Sequence, residues 1–251
     1  MPFIQLNYRS DALNKCVNVN VILPVDVSKE YKTLYLLHGL GGDETVWMRE
    51  TSIERYAKEY GIAVVMPNVD RSWYTDTAYG ANYFTFVSKE LPRVCRSYFK
   101  NMSPKREDNF IAGLSMGGYG AMKIALLNTD TFAGVSSLSG TLDIIVRDQL
   151  HPLNYKKGIF GYDLESYEDI RGTEHDLFSL VKNKRAEGAT MPKIHLWCGE
   201  SDQNFDPYNR FSALLTELGI EHLYEHSEGD HSWKWWDKHI RDTLKYFFEK
   251  N

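Results

Sequence analysis

The chain has 251 residues, 43% hydrophobic and 25% charged, a composition typical of ordinary globular domains. The net charge of −5 and the lack of any basic run give no electrostatic basis for binding nucleic acid. No stretch is apolar for long enough to span a bilayer, and the first residues lack the basic and apolar regions of a signal peptide. We therefore predict a cytoplasmic protein without a nucleic-acid or membrane partner.

The first half of the predicted sheet can be followed in chain order. Phe3–Tyr8 and Val17–Leu23 alternate apolar and polar residues, which predicts two antiparallel strands joined by a turn. Thr33–Leu37 and Ile62–Met66 are continuous apolar runs, typical of strands buried on both faces of a parallel sheet. A helix is expected between these two runs, over residues 44–60.

Strands and helices continue to alternate along the chain beyond an aromatic loop at residues 68–81. A helix is expected over residues 83–99, kinked or restarted at Pro92. The remaining predicted elements are a strand and helix around Ser115, a strand over 134–140, a helix over 176–186, a strand over 193–199, a helix over 207–218, a strand over 221–227 and a helix over 233–248.

Residues 141–191 interrupt this rhythm, and we refer to them as the cap segment. Fifty residues without a core strand are too many for a simple crossover, so we predict a cap or lid here. Elsewhere strands alternate with helices, which predicts a mostly parallel sheet of about eight strands with helices on both faces. The chain is interpreted as one domain, residues 1–251, with the cap segment as an insertion.

Cysteine and histidine spacing argues against structural cross-links and metal sites. Cys16, Cys95 and Cys198 are odd in number and form no C-x-x-C pair, which disfavours a disulfide framework or a zinc site. Each lies in a predicted strand or helix, so we expect three buried free thiols. No cluster of histidines and carboxylates has ligand spacing, and we predict no metal and no other cofactor.

A G-x-S-x-G motif, Gly113-Leu114-Ser115-Met116-Gly117, joins a predicted strand to a predicted helix. This is the context of a nucleophile elbow, where the serine sits on a strained turn at the carboxyl end of the sheet. Glycines on either side allow strand and helix to approach closely. The motif alone also suits an ordinary turn. The two interpretations are distinguished by whether the chain also offers a base and an acid for the serine.

A nucleophilic serine needs a base to accept its proton and an acid to orient that base. In an open α/β sheet the functional loops follow the carboxyl ends of the strands. His231 lies in the last strand–helix loop, where the chain order serine, acid, histidine places the base. His38 also follows a strand, but its position beside Gly39 suits a structural role in that loop.

Three carboxylates follow the penultimate strand and are candidates for the acid. Asp206 precedes Pro207 at the start of a helix, where capping the helix is its natural role. Glu200 directly follows Gly199, close to the strand end. Asp202 is better placed to reach the final loop, and the other two remain alternatives.

Acyl transfer also requires donors for the oxyanion of the tetrahedral intermediate. One donor is expected from the backbone N–H after the nucleophile, that of Met116. The second should come from the glycine-rich loop after the strand that ends at Leu37, with Leu40 as the candidate and Gly41 as the alternative. The same glycines also suit a tight turn between strand and helix.

These motifs together resemble a known family. Those that carry the resemblance are Leu36-Leu37-His38-Gly39-Leu40, Met66-Pro67-Asn68, Trp73-Tyr74-Thr75-Asp76-Thr77, Gly113-Leu114-Ser115-Met116-Gly117-Gly118-Tyr119-Gly120, Cys198-Gly199-Glu200-Ser201-Asp202 and Gly229-Asp230-His231-Ser232-Trp233. The chain is similar to the esterase D-like branch of the α/β-hydrolases, and especially to bacterial tributyrin esterases. S-formylglutathione hydrolases, feruloyl and acetylxylan esterases and mycolyltransferases are relatives. The resemblance covers the chain except the cap segment.

The resemblance implies an α/β-hydrolase fold and assigns roles to residues of this chain. Ser115, Asp202 and His231 would form the catalytic triad, with the backbone N–H groups of Leu40 and Met116 as oxyanion donors. The further residues expected along the substrate cleft are Trp73, Tyr74, Asp76, Phe205 and Trp233. For the aromatic members of this set, packing in the core is the alternative.

The sequence therefore predicts a serine carboxylesterase that hydrolyses short acyl esters through an acyl-enzyme, with a small-molecule ester as its partner. A feruloyl or acetylxylan esterase is the alternative, followed by an S-formylglutathione hydrolase and by a non-catalytic binding protein on the same fold. The oligomeric state stays open, with a homo-oligomer among the alternatives.

Overall fold

The structure, a computed structural model, describes residues 1–146, 152–161 and 163–249. Its strands are β1 (Phe3–Ser10), β2 (Lys15–Ile22), β3 (Thr33–Leu37), β4 (Ala63–Pro67), β5 (Asn109–Leu114), β6 (Gly134–Leu138), β7 (Lys193–Gly199) and β8 (His222–Ser227). Its α-helices are α1 (Val46–Glu50), α2 (Ile53–Tyr60), α3 (Tyr83–Thr85), α4 (Leu91–Tyr98), α5 (Met116–Leu127), α6 (Leu153–Phe160), α7 (Leu177–Ala186), α8 (Phe205–Glu217) and α9 (Trp233–Phe248).

The eight strands form one sheet in the order β1-β2-β4-β3-β5-β6-β7-β8. The pairs β1–β2 and β2–β4 are antiparallel, and the pairs from β4 to β8 are parallel. This arrangement confirms the predicted α/β-hydrolase fold. It also brings the carboxyl ends of β3, β5, β7 and β8 to one edge, where the loops carrying the candidate site residues emerge.

The parallel strands are buried because both faces of the sheet are covered. On β3, Leu34 and Leu36 pack into an apolar layer with α1, α2 and α9, whereas Tyr35 and Leu37 pack into a second layer with α4, α5, α7 and α8. The continuous apolar run of β3 is the sequence pattern that such two-sided burial requires.

The single helix predicted over residues 44–60 is wrong, since α1 ends at Glu50 and α2 begins at Ile53. Thr51 between them is extended, and its hydroxyl donates to the Trp47 carbonyl and accepts the Ile53 N–H. The next backbone N–H, that of Ser52, donates to Asp237 Oδ1 at 3.0 Å. The break thus depends on a side chain from α9, far away in sequence.

The helix predicted over residues 83–99 is present over Tyr83–Tyr98, with a π-helical turn at Phe86–Glu90. Pro92 is the second residue of α4, directly after this turn. Proline has no backbone N–H to donate, and its ring clashes with the carbonyl one turn earlier in a regular α-helix. A wider turn ahead of the proline relieves this clash. The kink expected at Pro92 therefore takes the form of a π turn.

Two smaller predictions are also corrected by the structure. Cys16 is exposed, because it lies at the start of β2, where the strand pairs with β1 but not with β4, whereas Cys95 and Cys198 are buried as expected. Asp206 does not cap α8: the N-cap is Asn204, and Asp206 pairs with Arg210 one turn later at 2.9 Å.

The cap segment contains α6, α7 and a short 3₁₀ turn, and its residues 147–151 and 162 lie outside the described residues. α7 starts at the predicted place because the carboxylate of Asp176 accepts the N–H groups of Phe178 and Ser179. α7 then packs against α5. Whether the segment acts as a lid stays a prediction.

Two buried lysines lie where the cap segment meets the body of the fold. Lys123 on α5 lies with its Nζ 2.8 Å from His175 Nδ1 and 3.1 Å from Thr75 Oγ1. Burial lowers the pKa of Lys123 to about 8. Burial and the neighbouring lysine lower the pKa of His175 to about 3, so its neutral imidazole can accept from the lysine.

The second lysine, Lys156 on α6, is enclosed by aromatic rings. Its Nζ lies 4.0 Å from the ring centroid of Trp73, 5.2 Å from that of Phe160 and 5.4 Å from that of Tyr167. Among the described residues it has no hydrogen-bond partner. Burial lowers the pKa of Lys156 to about 7. The faces of the aromatic rings attract positive charge, so they offset part of the lost hydration when the amine is protonated.

Within the part of the chain that the structure describes, no helix is both long and apolar enough to cross a membrane.

We expect Lys156→Met to change the pH dependence of stability. In the parent, the unfolded amine keeps its proton up to its ordinary pKa of 10.5, whereas the folded amine loses it near pH 7. Between these values the unfolded state binds more protons. The free energy of unfolding therefore rises with pH in the parent, by at most about 1.4 kcal/mol per pH unit from this group.

The variant lacks this contribution, so its stability relative to the parent should be highest at and below pH 7 and should decline toward pH 10. Urea unfolding of both proteins across this range measures the difference. Lys182→Met, at an exposed position on α7, is the control. Parallel pH profiles of the parent and Lys156→Met would contradict the prediction.

Candidate active site

Ser115 occupies the sharp turn between β5 and α5. Its backbone has φ 52° and ψ −119°, a conformation that residues with a side chain rarely adopt. The neighbouring glycines explain how the turn is possible. A Cβ on Gly113 would lie 2.4 Å from the Gly117 carbonyl oxygen, and one on Gly117 would lie 2.4 Å from that of Leu37. Strand and helix therefore cross in backbone contact and leave the Ser115 side chain at the edge of the sheet.

Ser115, His231 and Asp202 are joined by hydrogen bonds, although they come from three separate loops. Ser115 Oγ lies 3.0 Å from His231 Nε2, and His231 Nδ1 lies 2.8 Å from Asp202 Oδ2. The carboxylate can only accept, so Nδ1–H donates to it and Nε2 is left to accept the serine proton. The arrangement has the chemical means to activate the hydroxyl as a nucleophile.

Asp202 is held as a buried carboxylate. Burial raises its pKa, but the hydrogen bonds from His231 and from the Asn204 N–H, at 2.8 Å, outweigh burial and lower the pKa below its usual value. The group therefore stays ionised beside the imidazole. A buried negative charge in this position can stabilise a positive charge on the neighbouring imidazole.

The other two acid candidates do not contact His231. Glu200 is exposed and pairs with His226 at 2.9 Å, and Asp206 pairs with Arg210. Asp202 reaches the base because the loops after β7 and β8 cross closely. A Cβ on Gly199 would lie 2.3 Å from the carbonyl oxygen of Gly229, whose carbonyl also accepts the Ser201 N–H at 2.9 Å.

The loop after β3 is fixed by the side chain of His38. Its Nδ1–H donates to the Gly39 carbonyl at 2.8 Å, and its Nε2 accepts the Val69 N–H at 3.1 Å. The Gly42 N–H donates to the same carbonyl at 3.1 Å. In a trans peptide the C=O and N–H point in opposite directions, so fixing the Gly39 carbonyl also fixes the Leu40 N–H.

Three further observations show how firmly this loop is held. Burial lowers the pKa of His38, so the ring is neutral, as its hydrogen bonds require. The Tyr74 hydroxyl donates to the His38 carbonyl at 2.9 Å, and Trp47 Nε1 donates to the Leu37 carbonyl at 3.0 Å. The structural role predicted for His38 agrees with these contacts. The Leu40 N–H is thereby presented in a fixed orientation.

A cavity of about 440 Å³ lies beside Ser115. One side is formed by the loop Gly39–Gly42, and the other by Val46, Trp233 and Trp236. Both the candidate nucleophile and His231 line it. The space is therefore a carbon-rich cleft with the candidate nucleophile and the candidate base at its wall.

Of the residues expected along the cleft, Trp233 lines this cavity and the other four do not. Trp73 is buried against Tyr119 and α6, and Tyr74 is buried beneath the loop after β3. For both residues the structure corresponds to the core-packing alternative.

Asp76 accepts the N–H and hydroxyl of Thr85 at 2.8 and 2.6 Å, and so secures the start of the helical segment from residue 83. Phe205 packs edge-on to His226, with ring centroids 5.6 Å apart. Both residues lie in structural contacts and not at the cavity wall.

Trp236 is a cavity residue that sequence reasoning missed. Its ring is edge-on to that of His231, with centroids 4.9 Å apart, and edge-on to that of Trp233 at 5.3 Å. The available signal was its position three residues after Trp233, which places both indoles on one face of α9.

Among the described residues, no group of three or more His, Cys, Asp or Glu side chains could hold a metal ion.

Comparisons with known proteins identify relatives of the whole chain. Residues 10–247 match the model of the Esterase family, described as "Putative esterase". The chain is 35% identical to an acetyl esterase of Caldicellulosiruptor saccharolyticus, over 98% of both chains.

Solved structures extend the comparison. The fluorophosphonate-binding serine hydrolase F of Staphylococcus aureus is 39% identical over 99% of both chains, with a TM-score of 0.93. An S-formylglutathione hydrolase of Staphylococcus aureus is 38% identical over 99% of both chains, with a TM-score of 0.90. A ferulic acid esterase, 22% identical over 98% of both chains with a TM-score of 0.82, shares the fold.

We expect Gly117→Ala to destabilise the protein by about 3 kcal/mol or more, because a methyl group there meets backbone atoms that cannot move independently. Gly158→Ala on α6 is the matched control, since the nearest atom to its Cβ would be 4.0 Å away. That change should stabilise by about 0.5–1 kcal/mol, because it removes a helical glycine. Urea unfolding measures the stabilities of the two variants. Equal stabilities would show that the close contact between β5 and α5 does not exclude a methyl group.

Proposed function

Since the chain belongs to the Esterase family and is a carboxylic ester hydrolase, we propose that it cleaves short-chain acyl esters through an acyl-enzyme on Ser115. The family finding bears out the resemblance to the esterase D-like α/β-hydrolases. The observation that carries the proposed mechanism is the hydrogen-bonded series Asp202, His231, Ser115 at the wall of an apolar cavity.

In the proposed reaction, Ser115 Oγ attacks the ester carbonyl carbon while His231 Nε2 takes the hydroxyl proton. The carbonyl oxygen becomes an oxyanion, which the N–H groups of Leu40 and Met116 stabilise. The C–O bond to the alcohol then breaks, and His231 returns its proton to the leaving alkoxide. Water attacks the acyl-enzyme by the same steps, releasing the acid and restoring Ser115.

Cavity size and lining support a small acyl group. The space beside Ser115 is bounded by Leu40 and by the indoles of Trp233 and Trp236, which offer apolar contact but no charged group for a polar acyl chain. The relative named as an acetyl esterase, for which the acyl group has two carbons, agrees with this size. We propose acetyl to butyryl esters as the substrate class.

S-formylglutathione is the second candidate substrate, supported by the relative of that name at 38% identity. Its one-carbon acyl group fits the same cavity, and thioester cleavage uses the same nucleophile and base. Comparing kcat/KM for S-formylglutathione with that for p-nitrophenyl acetate separates the candidates. The carbohydrate-ester alternative is tested with methyl ferulate and acetylated xylan.

Ser115→Ala should lower kcat/KM for p-nitrophenyl acetate by about 10⁴-fold or more, because the nucleophile is lost. Asp202→Asn should lower it by about 10³- to 10⁴-fold, because the imidazole loses its orientation and its counter-charge. Asp206→Asn, at an exposed alternative acid, is the control and should keep the parental rate.

Labelling with a fluorophosphonate probe gives a second readout. The parent should be labelled at Ser115, since labelling requires an activated nucleophile. Parental hydrolysis by Ser115→Ala would refute the mechanism. An unlabelled, inactive parent would favour the binding-protein alternative.

Trp233→Ala should shift the acyl-chain preference, because removing the indole lengthens the cavity beside Ser115. We expect the ratio of kcat/KM for octanoate to that for acetate esters to rise about tenfold. Because the ratio is taken within one protein, it does not depend on the active fraction. Phe205→Ala, which lies off the cavity, should leave the ratio unchanged. Equal ratios in the parent and Trp233→Ala would show that Trp233 does not contact the acyl chain.

A cytoplasmic location and a homo-oligomeric state stay predictions, to be tested by cell fractionation and by light scattering.

A further inference from the structure

The loop that follows β6 lies between the elbow and the acid, and the proposed mechanism gives it no role. We call residues Ser139–Thr141 the β6 loop. β6 itself pairs with β5, which leads to Ser115, and with β7, which leads to Asp202. The loop is therefore placed to connect the two halves of the site.

The β6 end of the sheet holds the elbow through two backbone hydrogen bonds. The Ser115 N–H donates to the Leu138 carbonyl at 3.0 Å, and the Thr141 N–H donates to the Ser115 carbonyl at 3.3 Å. The same carbonyl also accepts the Tyr119 N–H of α5 at 3.1 Å. That carbonyl belongs to the same peptide group as the Met116 N–H, which points the opposite way. The position of Thr141 therefore helps to set the direction of the proposed oxyanion donor.

The β6 loop is itself strained and needs support. Ser139 has φ 48°, a left-handed conformation that persists in a non-glycine residue only when its surroundings enforce it. Its N–H donates to the Trp197 carbonyl at 2.9 Å. Its carbonyl accepts Asn204 Nδ2 at 2.8 Å, so the N-cap residue of α8 holds the other side.

The first turn of α8 supplies a second support, the side chain of Tyr208. Its hydroxyl accepts the Gly140 N–H and lies 2.6 Å from Ser137 Oγ. Burial raises the pKa of Tyr208, so the hydroxyl keeps its proton for these hydrogen bonds. Asn204 and Tyr208 are four residues apart and face the loop from the same side of α8.

The β6 loop has no free space on the side of Gly140 that faces β6 and α5. A Cβ on Gly140 would lie 2.2 Å from Ser137 Oγ and 2.9 Å from the backbone of Gly118 in the first turn of α5. A movement of the β6 loop would therefore be transmitted to that turn, which carries the Met116 N–H.

We propose that Tyr208, together with Asn204, is a positioning residue for ester hydrolysis: it holds the β6 loop so that Thr141, alongside the helical N–H of Tyr119, orients the Ser115–Met116 peptide group. Tyr208 touches no reacting atom and acts through this loop. The inference rests on the proposed function, since it concerns the oxyanion donor of that reaction.

The test is Tyr208→Phe, which removes one oxygen atom and keeps the ring. We expect kcat, counted per fluorophosphonate-labelled site, to fall between about tenfold and about 100-fold, as misplacement of a catalytic group does. KM should change by less than about threefold, because the acyl cavity is untouched. Tyr224→Phe is the matched control, since the hydroxyl of this neighbouring tyrosine donates to Asn209 Oδ1 at 2.9 Å, away from the β6 loop.

A second readout separates positioning from a general loss of stability. A trifluoromethyl ketone forms a tetrahedral adduct with the serine, so its inhibition constant should rise by the same factor as kcat/KM falls. A purely structural role would lower the labelled fraction and leave kcat per labelled site and the inhibition constant unchanged. That result would overturn the inference.

Asn204→Ala provides an independent variant if Tyr208→Phe folds poorly. It should lower kcat in the same way, and the double variant should lose less than the product of the two single losses, because both side chains act through one loop. Fully multiplicative losses would argue against the shared loop. A parent that is inactive and unlabelled would overturn the proposed function itself, whereas an active parent with an unimpaired Tyr208→Phe overturns only the positioning role.

Discussion

Backbone contact between the first turn of α5 and the ends of β3 and β5 is the constraint on which the site depends. Gly113, Gly117 and Leu37 meet at distances that no Cβ could occupy. Packing at this density is normally a property of a hydrophobic core. Here it also defines where the Ser115 hydroxyl stands and where the loop after β3 can turn.

A second backbone contact governs the other half of the site. Gly199 and Gly229 touch where the loops after β7 and β8 cross, and the carboxylate of Asp202 is thereby brought to His231. The β6 loop lies between the two contacts and is hydrogen-bonded to both sides. The site is thus a set of loops fixed to one another as well as to the sheet.

The fold and the central site could be predicted because their signals are local. Apolar runs such as Thr33–Leu37 indicate two-sided burial, and the chain order of Ser115, Asp202 and His231 follows from the rule that functional loops leave the carboxyl ends of strands. Each strand is recognised from neighbouring residues, and the order of the strands then gives the order of the loops. The loops then meet because parallel strands end at the same edge of the sheet.

What the sequence could not predict depends on contacts between distant segments. The break between α1 and α2 requires Asp237, 185 residues from Ser52. Trp73 and Tyr74 sit beside strong motif residues, but whether their rings face the cleft or the interior depends on α5 and the cap segment. Tyr208 looks like any buried tyrosine on an amphipathic helix until the structure shows its hydroxyl at Gly140.

The two hydrogen bonds to the Gly39 carbonyl have a consequence for the energetics of the reaction. Because His38 and Gly42 already hold this peptide, in the proposed reaction its dipole does not have to rotate when negative charge develops on the substrate. In water, solvent dipoles would have to reorganise around the same charge. In this protein the corresponding orientation is achieved during folding, before any ester arrives.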